Sequence, residues 1–329
     1  MLITQEEYDS IFRGYYINGV AVRDNGYVYL TLREKRDDVD PVIEERLARK
    51  KFVAHFHDKP LGRQWGENGY EGLDTIYSAA ATVPLSQYVG VDTRGVVCAL
   101  GSGFGKLEEN IPGKLAIFNS RAIGGRVYVA GSGRYVARRV DRNRWEALEK
   151  GIIVPTGDER IFSAGFRRID GFSESDIYAG GGEGDLWHFD GDKWRQISFP
   201  TNMSIESICC GQDGSVYIGS LKGTVFKGRD DQWKMIHEGK LSLPFRQMVW
   251  FQDRVWATSD YGVWQIVNDE VVEPELPPEV RECVGYISCT DEILVLAGHF
   301  GAARLENGRW DVLVSCTHDE DEDEDEGYL

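Results

Sequence analysis

The chain has 329 residues, of which 42% are hydrophobic and 12% aromatic, with 38 glycines against 10 prolines; that is enough apolar material for a core, with a glycine content suited to many tight turns and not to a disordered chain. The net charge is −17, and eight of the negatives fall in one run at residues 319–326; the remainder is still acidic and would repel a phosphate backbone, which argues against general nucleic-acid binding. No stretch reaches the ~18 uninterrupted apolar residues of a membrane-spanning helix, and the opening MLITQEEYDSIF carries acids and no long apolar run, unlike a secretion signal, so the expected location is the cytoplasm.

In chain order, the first predicted element is a helix over 4–12, TQEEYDSIF, where Thr4 and Glu7 make a capping-box pattern. Residues 19–35 alternate with period two around Asn25-Gly26 and read as a hairpin. A stretch opening on Pro41 and running to Lys50 reads as a helix inserted in the first sheet. The segment 51–57 and the residues around Trp65 supply that sheet's outer strands. His55 and His57 stand two apart, a spacing that can hold a metal; no third ligand lies near them in sequence, and both read as half-buried surface histidines.

Residues 36–95 do not repeat cleanly. GSGFGK at 101–106 looks at first like a phosphate loop. Leu100 stands where that pattern needs glycine and Leu107 where it needs serine or threonine, so the segment reads as one more hairpin.

From there the chain becomes periodic. Residues 126–145, 177–194, 216–233, 255–271 and 294–310 each read as strand, glycine turn, strand, polar turn, strand. Tyr178, Tyr217, Trp256 and Val295 follow one another at intervals of 39 residues, as do Gly184, Gly223, Gly262 and Gly301. Trp194, Trp233 and Trp310 close three of the units. A further strand precedes each, such as 204–211 or 245–251, making four antiparallel strands in ~40 residues, the period of a propeller blade. Counting 19–35 and 96–109 as noisier units gives seven blades, with six or eight open. No strand is left at the C-terminus to complete the first blade, so the ring is expected to close by packing the first blade on the last. The expected fold is therefore an all-β propeller of four-stranded blades over 1–316, with a short N-terminal helix, an insertion in the first blade, and a disordered acidic tail at 317–329.

The run VYIGS..GTVF....DQW resembles bacterial propeller repeats, and the period resembles that of WD40 propellers, although the Gly-His opening and Trp-Asp ending of those repeats are missing. The small acidic character also resembles propeller proteins that act as immunity partners of secreted toxins. That resemblance implies a protein-binding role.

No catalytic motif is present. There is no nucleophile elbow, and His188 and His299 lie in different repeats and could meet only through the fold. The six cysteines, two of them adjacent at 209 and 210, show no zinc or disulfide spacing and read as reduced strand residues. Asn202-Met203-Ser204 is a glycosylation pattern with no meaning in a chain lacking a secretion signal. No cofactor and no metal site is expected.

Propellers bind through loops at one end of the ring. Those joining the second and third strands hold Arg134, Tyr135, Glu183, Lys222, Asp260, Tyr261, His299 and Phe300, and the links 146–161 and 271–280 share that end. Tyrosine, phenylalanine and arginine there are the residue types that anchor interfaces. The expectation is a monomer that binds one basic protein, as an inhibitor or immunity protein. Two alternatives stand beside it: a carbohydrate-active enzyme with carboxylates in the central funnel, and a scaffold with several partners. The arginines at 134, 138, 139, 142 and 144 form the densest basic run; the acidic tail reads first as a solvated segment, with two functional alternatives, docking a basic partner or screening this run.

Overall fold

The computed structural model describes residues 3–24, 26–36, 45–113, 116–154 and 164–316. Twenty-eight strands pair into seven separate four-stranded antiparallel sheets. The first blade is β1 (Tyr15–Val22), β2 (Val28–Glu34), β3 (Lys50–His55) and β4 (Trp65–Tyr70). The second is β5 (Ile76–Ala81), β6 (Gln87–Asp92), β7 (Val97–Gly101) and β8 (Phe104–Glu108), and the third is β9 (Ile117–Ile123), β10 (Arg126–Gly131), β11 (Val136–Asp141) and β12 (Arg144–Ala147). The fourth is β13 (Phe166–Ser173), β14 (Asp176–Gly181), β15 (Leu186–Phe189) and β16 (Trp194–Ile197), and the fifth is β17 (Ile205–Cys210), β18 (Val216–Ser220), β19 (Val225–Arg229) and β20 (Gln232–His237). The sixth is β21 (Gln247–Phe251), β22 (Arg254–Ser259), β23 (Gly262–Val267) and β24 (Glu270–Val272), and the seventh is β25 (Tyr286–Cys289), β26 (Ile293–Gly298), β27 (Gly301–Glu306) and β28 (Arg309–Ser315).

A single four-stranded sheet cannot cover both of its faces, and stacking the sheets around an axis solves this. The buried residues fall into seven clusters, each shared by two adjacent blades and each seam having one. The first strands of successive blades touch around the ring, β1 against β5 and so on to β25 against β1, so they line the axis. The expected tryptophans sit in these seams. Trp194 packs on Phe166 and Phe189 at ring distances of 5.7 and 5.2 Å, and its indole N–H donates to the Leu148 carbonyl.

The ring closes as expected, by packing of complete blades. Blade one and blade seven share a cluster holding Val20, Leu30, Val295 and Val314. A helix, α1 (Gln5–Ile11), is wedged into the same seam by Tyr8, Ile11 and Phe12. Its capping box forms as the sequence indicates, with Thr4 accepting from the Glu7 N–H and Glu7 reaching back to the Thr4 N–H. Lys51 finishes the other end by donating to the carbonyls of Ser10 and Ile11. Because Phe12 is 1% exposed and meets Trp65 edge-on at 5.3 Å, Phe12→Ala is expected to cost about 3–5 kcal/mol of stability. Urea unfolding would show it, and a loss below about 1 kcal/mol would mean that α1 is not part of the closure.

The noisy third of the repeat differs from the sequence reading in detail. The hairpin at 19–35 joins the first and second strands of its blade, and GSGFGK turns between the third and fourth strands of blade two. The true second turn of blade two is at 93–96, where Gly95 keeps the left-handed turn glycine, with φ of 83°, and an aspartate is added: the Asp92 carboxylate accepts from the N–H groups of Asp74, Arg94 and Val96. That local bonding reinforces the glycine turn. Of the expected insertion helix, residues 41–44 lie outside the described residues, 45–47 are one helical turn, and Lys50 already belongs to β3. Asn25 and the acidic tail also lie outside the described residues. Among the described residues, no helix is long and apolar enough to cross a membrane.

Strand alternation decides which loops share an end. The second turn of every blade and every link between blades lie at one end, the link face; the first and third turns lie at the other. Residues 35–36, 45–49 and α1 join the link face. So does Cys316, which follows β28 and donates its N–H to the Phe300 carbonyl at 2.8 Å.

Candidate functional site

All eight residues singled out in the sequence stand in second turns on the link face. Arg134, Glu183 and Lys222 occupy equivalent corners in a left-handed conformation, with φ of 60°, 57° and 60°. Two of the eight, Arg134 and Tyr135, are turned inward. Tyr135 is buried, and its hydroxyl donates to the Pro112 carbonyl. The Arg134 guanidinium grips both Asp185 oxygens at 2.7 and 3.2 Å, lies over the Trp187 ring and donates to the Ile153 carbonyl. Arg134 thus ties blade three to blade four. Glu183, Lys222, Asp260, Tyr261, His299 and Phe300 face solvent. The His299 imidazole stacks on Tyr16 at 5.0 Å, and burial lowers its pKa from the ordinary value while Asp260 opposes the shift.

The exposed apolar side chains are unevenly placed. Tyr261 is 79% and Phe300 43% exposed, and they are joined on the link face by Leu47, Ile153, Val154 and Leu221. Among the described residues the turns of the opposite face offer two, Leu61 and Val83; Leu107, Met235 and Val272 lie on outer strands. Large exposed apolar groups gathered at one end mark an interaction surface. Beside Tyr261 and Phe300 runs the link from blade six to blade seven, which presents Glu273, Glu275, Glu279 and Glu282 to solvent. Leu276, Val280 and Cys283 pin this link into the seam beneath, with a short helix, α2 (Pro278–Arg281), between them. The acids are therefore held on a fixed backbone.

The axis opens on the link face into a cavity of about 470 Å³. Its walls come from the first strands and the residues just before them. The charged lining is Arg167, Arg168, Arg246 and Glu206, and Tyr77, Phe118 and Tyr286 supply aromatic surface. Arg246 donates to the Tyr286 hydroxyl at 2.8 Å and pairs with Asp260. Sequence reading missed these residues, although a signal was there: Arg167, Glu206, Arg246 and Tyr286 follow at intervals of 39, 40 and 40 residues, so the repeat continues into the axis.

The basic run does not form the single patch that screening by the tail requires. Arg139 is buried against Glu108 and Gln87 between blades, and Arg138 pairs with Glu146 and Glu174. Arg142 and Arg144 stand at a third turn, on the opposite face from Arg134. The reason is geometric, since 134–144 crosses from one end of the ring to the other along β11.

The histidines separate as well. His188 bonds Asp176 in blade four, while His299 is three blades away. His57 is exposed beyond the end of β3, whereas His55, expected at the surface, is fully buried against Trp65. Burial, helped by the Arg304 charge and then by His57, lowers the His55 pKa from 6.5 to about 4. The unfolded chain therefore binds this proton before the folded one does. Stability is fully present above pH 6.5 and falls by about 2–3 kcal/mol as pH drops to 4. Relative to wild type, His55→Leu is expected to flatten the stability–pH curve in that window; identical slopes would contradict the assignment. All six cysteines are free thiols, and burial pushes that of Cys98 up to about 12.

No family model matches the chain. Over 218 residues it is 32% identical to the immune protein Tsi7 of Pseudomonas aeruginosa, covering 64% of this chain and 70% of that one. Among solved structures it is similar to virginiamycin B lyase from Staphylococcus aureus, with a TM-score of 0.62, 12% identity, and coverage of 88% of this chain and 94% of that one. The Saccharomyces cerevisiae protein Sqt1 superposes with a TM-score of 0.58 at 11% identity, over 92% of this chain and 86% of that one. The WD40 propeller domain of Doa1 gives 0.59 at 10% identity, over 88% and 92%. At these identities the structural likenesses show the propeller fold alone.

Proposed function

The chain belongs to the family of the immune protein Tsi7, and from that premise we propose that it is a non-catalytic immunity protein of the cytoplasm, which binds and neutralises one toxin as a monomer. The relationship to Tsi7 is the observation that carries the role. The link face supports the place: Tyr261 and Phe300 act as anchors, with Leu221 and Leu47 beside them. The acids of the blade six–seven link and the net charge of −17 favour a basic partner, since complementary charge raises the association rate more than the final affinity. A carbohydrate-active enzyme would need opposed carboxylates in the funnel. Among the described residues, the link-face cavity has one carboxylate, Glu206, beside three arginines, so that cavity gives the enzyme reading no support.

The test is co-expression with the toxin it is proposed to neutralise. Restored growth together with a one-to-one complex on gel filtration is expected. Continued killing at matched protein levels would refute the immunity role.

A further inference from the structure

We propose that the axial cavity of the link face is a binding site for a carboxylate group, with Arg168 and Arg167 as its principal ligands. This inference does not depend on the immunity role. Arg168 projects into the cavity from the start of β13 and spends two donors on main-chain carbonyls: Nε on Glu206, and Nη1 on Arg167 at 2.7 Å. Among the described residues it has no carboxylate ion-pair partner within hydrogen-bonding range. The counter-charge that acts on it is Glu206, which sits 4.0 Å from Arg167. Arg167 and Arg246 act on Arg168 as like charges, and burial lowers its pKa from the ordinary arginine value.

The charges do not cancel. Arg246 is neutralised by Asp260, and Glu206 answers one of the two neighbouring guanidiniums, leaving one cation uncompensated. Arg168 is half-buried at the cavity wall, where water screens a charge less than at an open surface, so an anion that reaches it is held more strongly there. One uncompensated charge matches a carboxylate better than a doubly charged phosphate, which would also face Glu206. The planar guanidinium fork fits carboxylate oxygens in pairs. Tyr77, Phe118 and Tyr286 also line the cavity, so a free acid held there would carry its carboxylate on an apolar or aromatic body, and about 470 Å³ falls within the range of small-molecule sites.

Two sources could supply this chemistry: a free organic acid, or the chain's own acids at 319–326. The described chain ends at Cys316 on the same face, and thirteen further residues can reach about 45 Å when extended.

The experiment titrates benzoate, with inorganic phosphate as comparison, into the full chain and into a chain ending at Cys316, which keeps all seven blades. Calorimetry should show benzoate binding in preference to phosphate in at least one of the two forms. Arg168→Gln, checked for folding by circular dichroism, should weaken it about tenfold or more, the effect of losing one charge-assisted contact. Arg167→Gln changes a side chain that is 51% exposed and should leave the fold intact; it should weaken binding in the same direction and keeps the test decisive if Arg168→Gln does not fold. Tighter binding to the shortened chain assigns the tail as the natural occupant; equal binding assigns a free acid. No benzoate binding to either form, phosphate bound as well as benzoate, or binding unaffected by the folded arginine variants would overturn the proposal.

Discussion

Replacing Glu108 with alanine is expected to lower the stability of the ring by about 3–5 kcal/mol. The Glu108 and Arg139 side chains are both 0% exposed, and they pair across the seam between blades two and three. Both terminal nitrogens of Arg139 also donate to Gln87 Oε1 at 3.1 Å, Gln87 in turn donates to the Gly101 carbonyl, and the second Glu108 oxygen accepts from the Asn143 N–H. Each charge was removed from water when the blades packed, and the pair roughly repays that cost only while both members remain. Removing the carboxylate leaves a guanidinium buried with one neutral acceptor. The double variant Glu108→Leu with Arg139→Met replaces the pair by apolar groups of similar size and should recover most of the loss. Urea midpoints at constant m would report both effects. A double variant no more stable than Glu108→Ala would mean that the network, and not the stranded charge, sets the cost.

The second large effect concerns binding. Tyr261→Asp and Phe300→Asp are each expected to raise the Kd for the toxin by about 30-fold or more, the consequence of removing a hot-spot anchor worth about 2 kcal/mol. Both side chains are already in solvent, at 79% and 43% exposure, so the substitutions should leave the thermal transition where it is. Leu61→Asp, on the opposite face and 63% exposed, should leave Kd unchanged. Substituting Glu273, Glu275 and Glu279 with glutamine should mainly slow association and flatten its salt dependence, because rim charges steer encounter more than they hold the complex. Equal losses from Leu61→Asp and Tyr261→Asp would show that the apolar asymmetry between the faces does not select the partner.

The ring was legible in the sequence because its physical cause is periodic. Every blade must bury two faces with the same four strands, so Tyr178, Tyr217, Trp256 and Val295 recur in register and land in equivalent second strands. The pattern was harder to follow where the spacing between blades changed, as in blade two, whose turn holds Gly95 with the Asp92 carboxylate bonded across it. The end of the ring that carries the loops was legible too, since it follows from strand alternation alone. Which loop residues are free was not. Arg134 and Tyr135 are as interface-like by type as Tyr261, yet Asp185, Trp187 and Pro112, distant in sequence, draw them inward. The funnel arginines were hidden for a related reason: Arg167 and Arg246 are 79 residues apart and become neighbours only when the ring closes. Conversely, the arginines at 134–144 are close in sequence and are separated by the length of one strand.

Hydrogen exchange on the toxin complex tests the central claim most directly. The account predicts slowed exchange at the second turns, 221–224, 259–262 and 298–301, and along the link 273–282, with no change at the turns of the opposite face around 61 and 83. Protection confined to that opposite face would contradict the assignment of the link face as the binding surface.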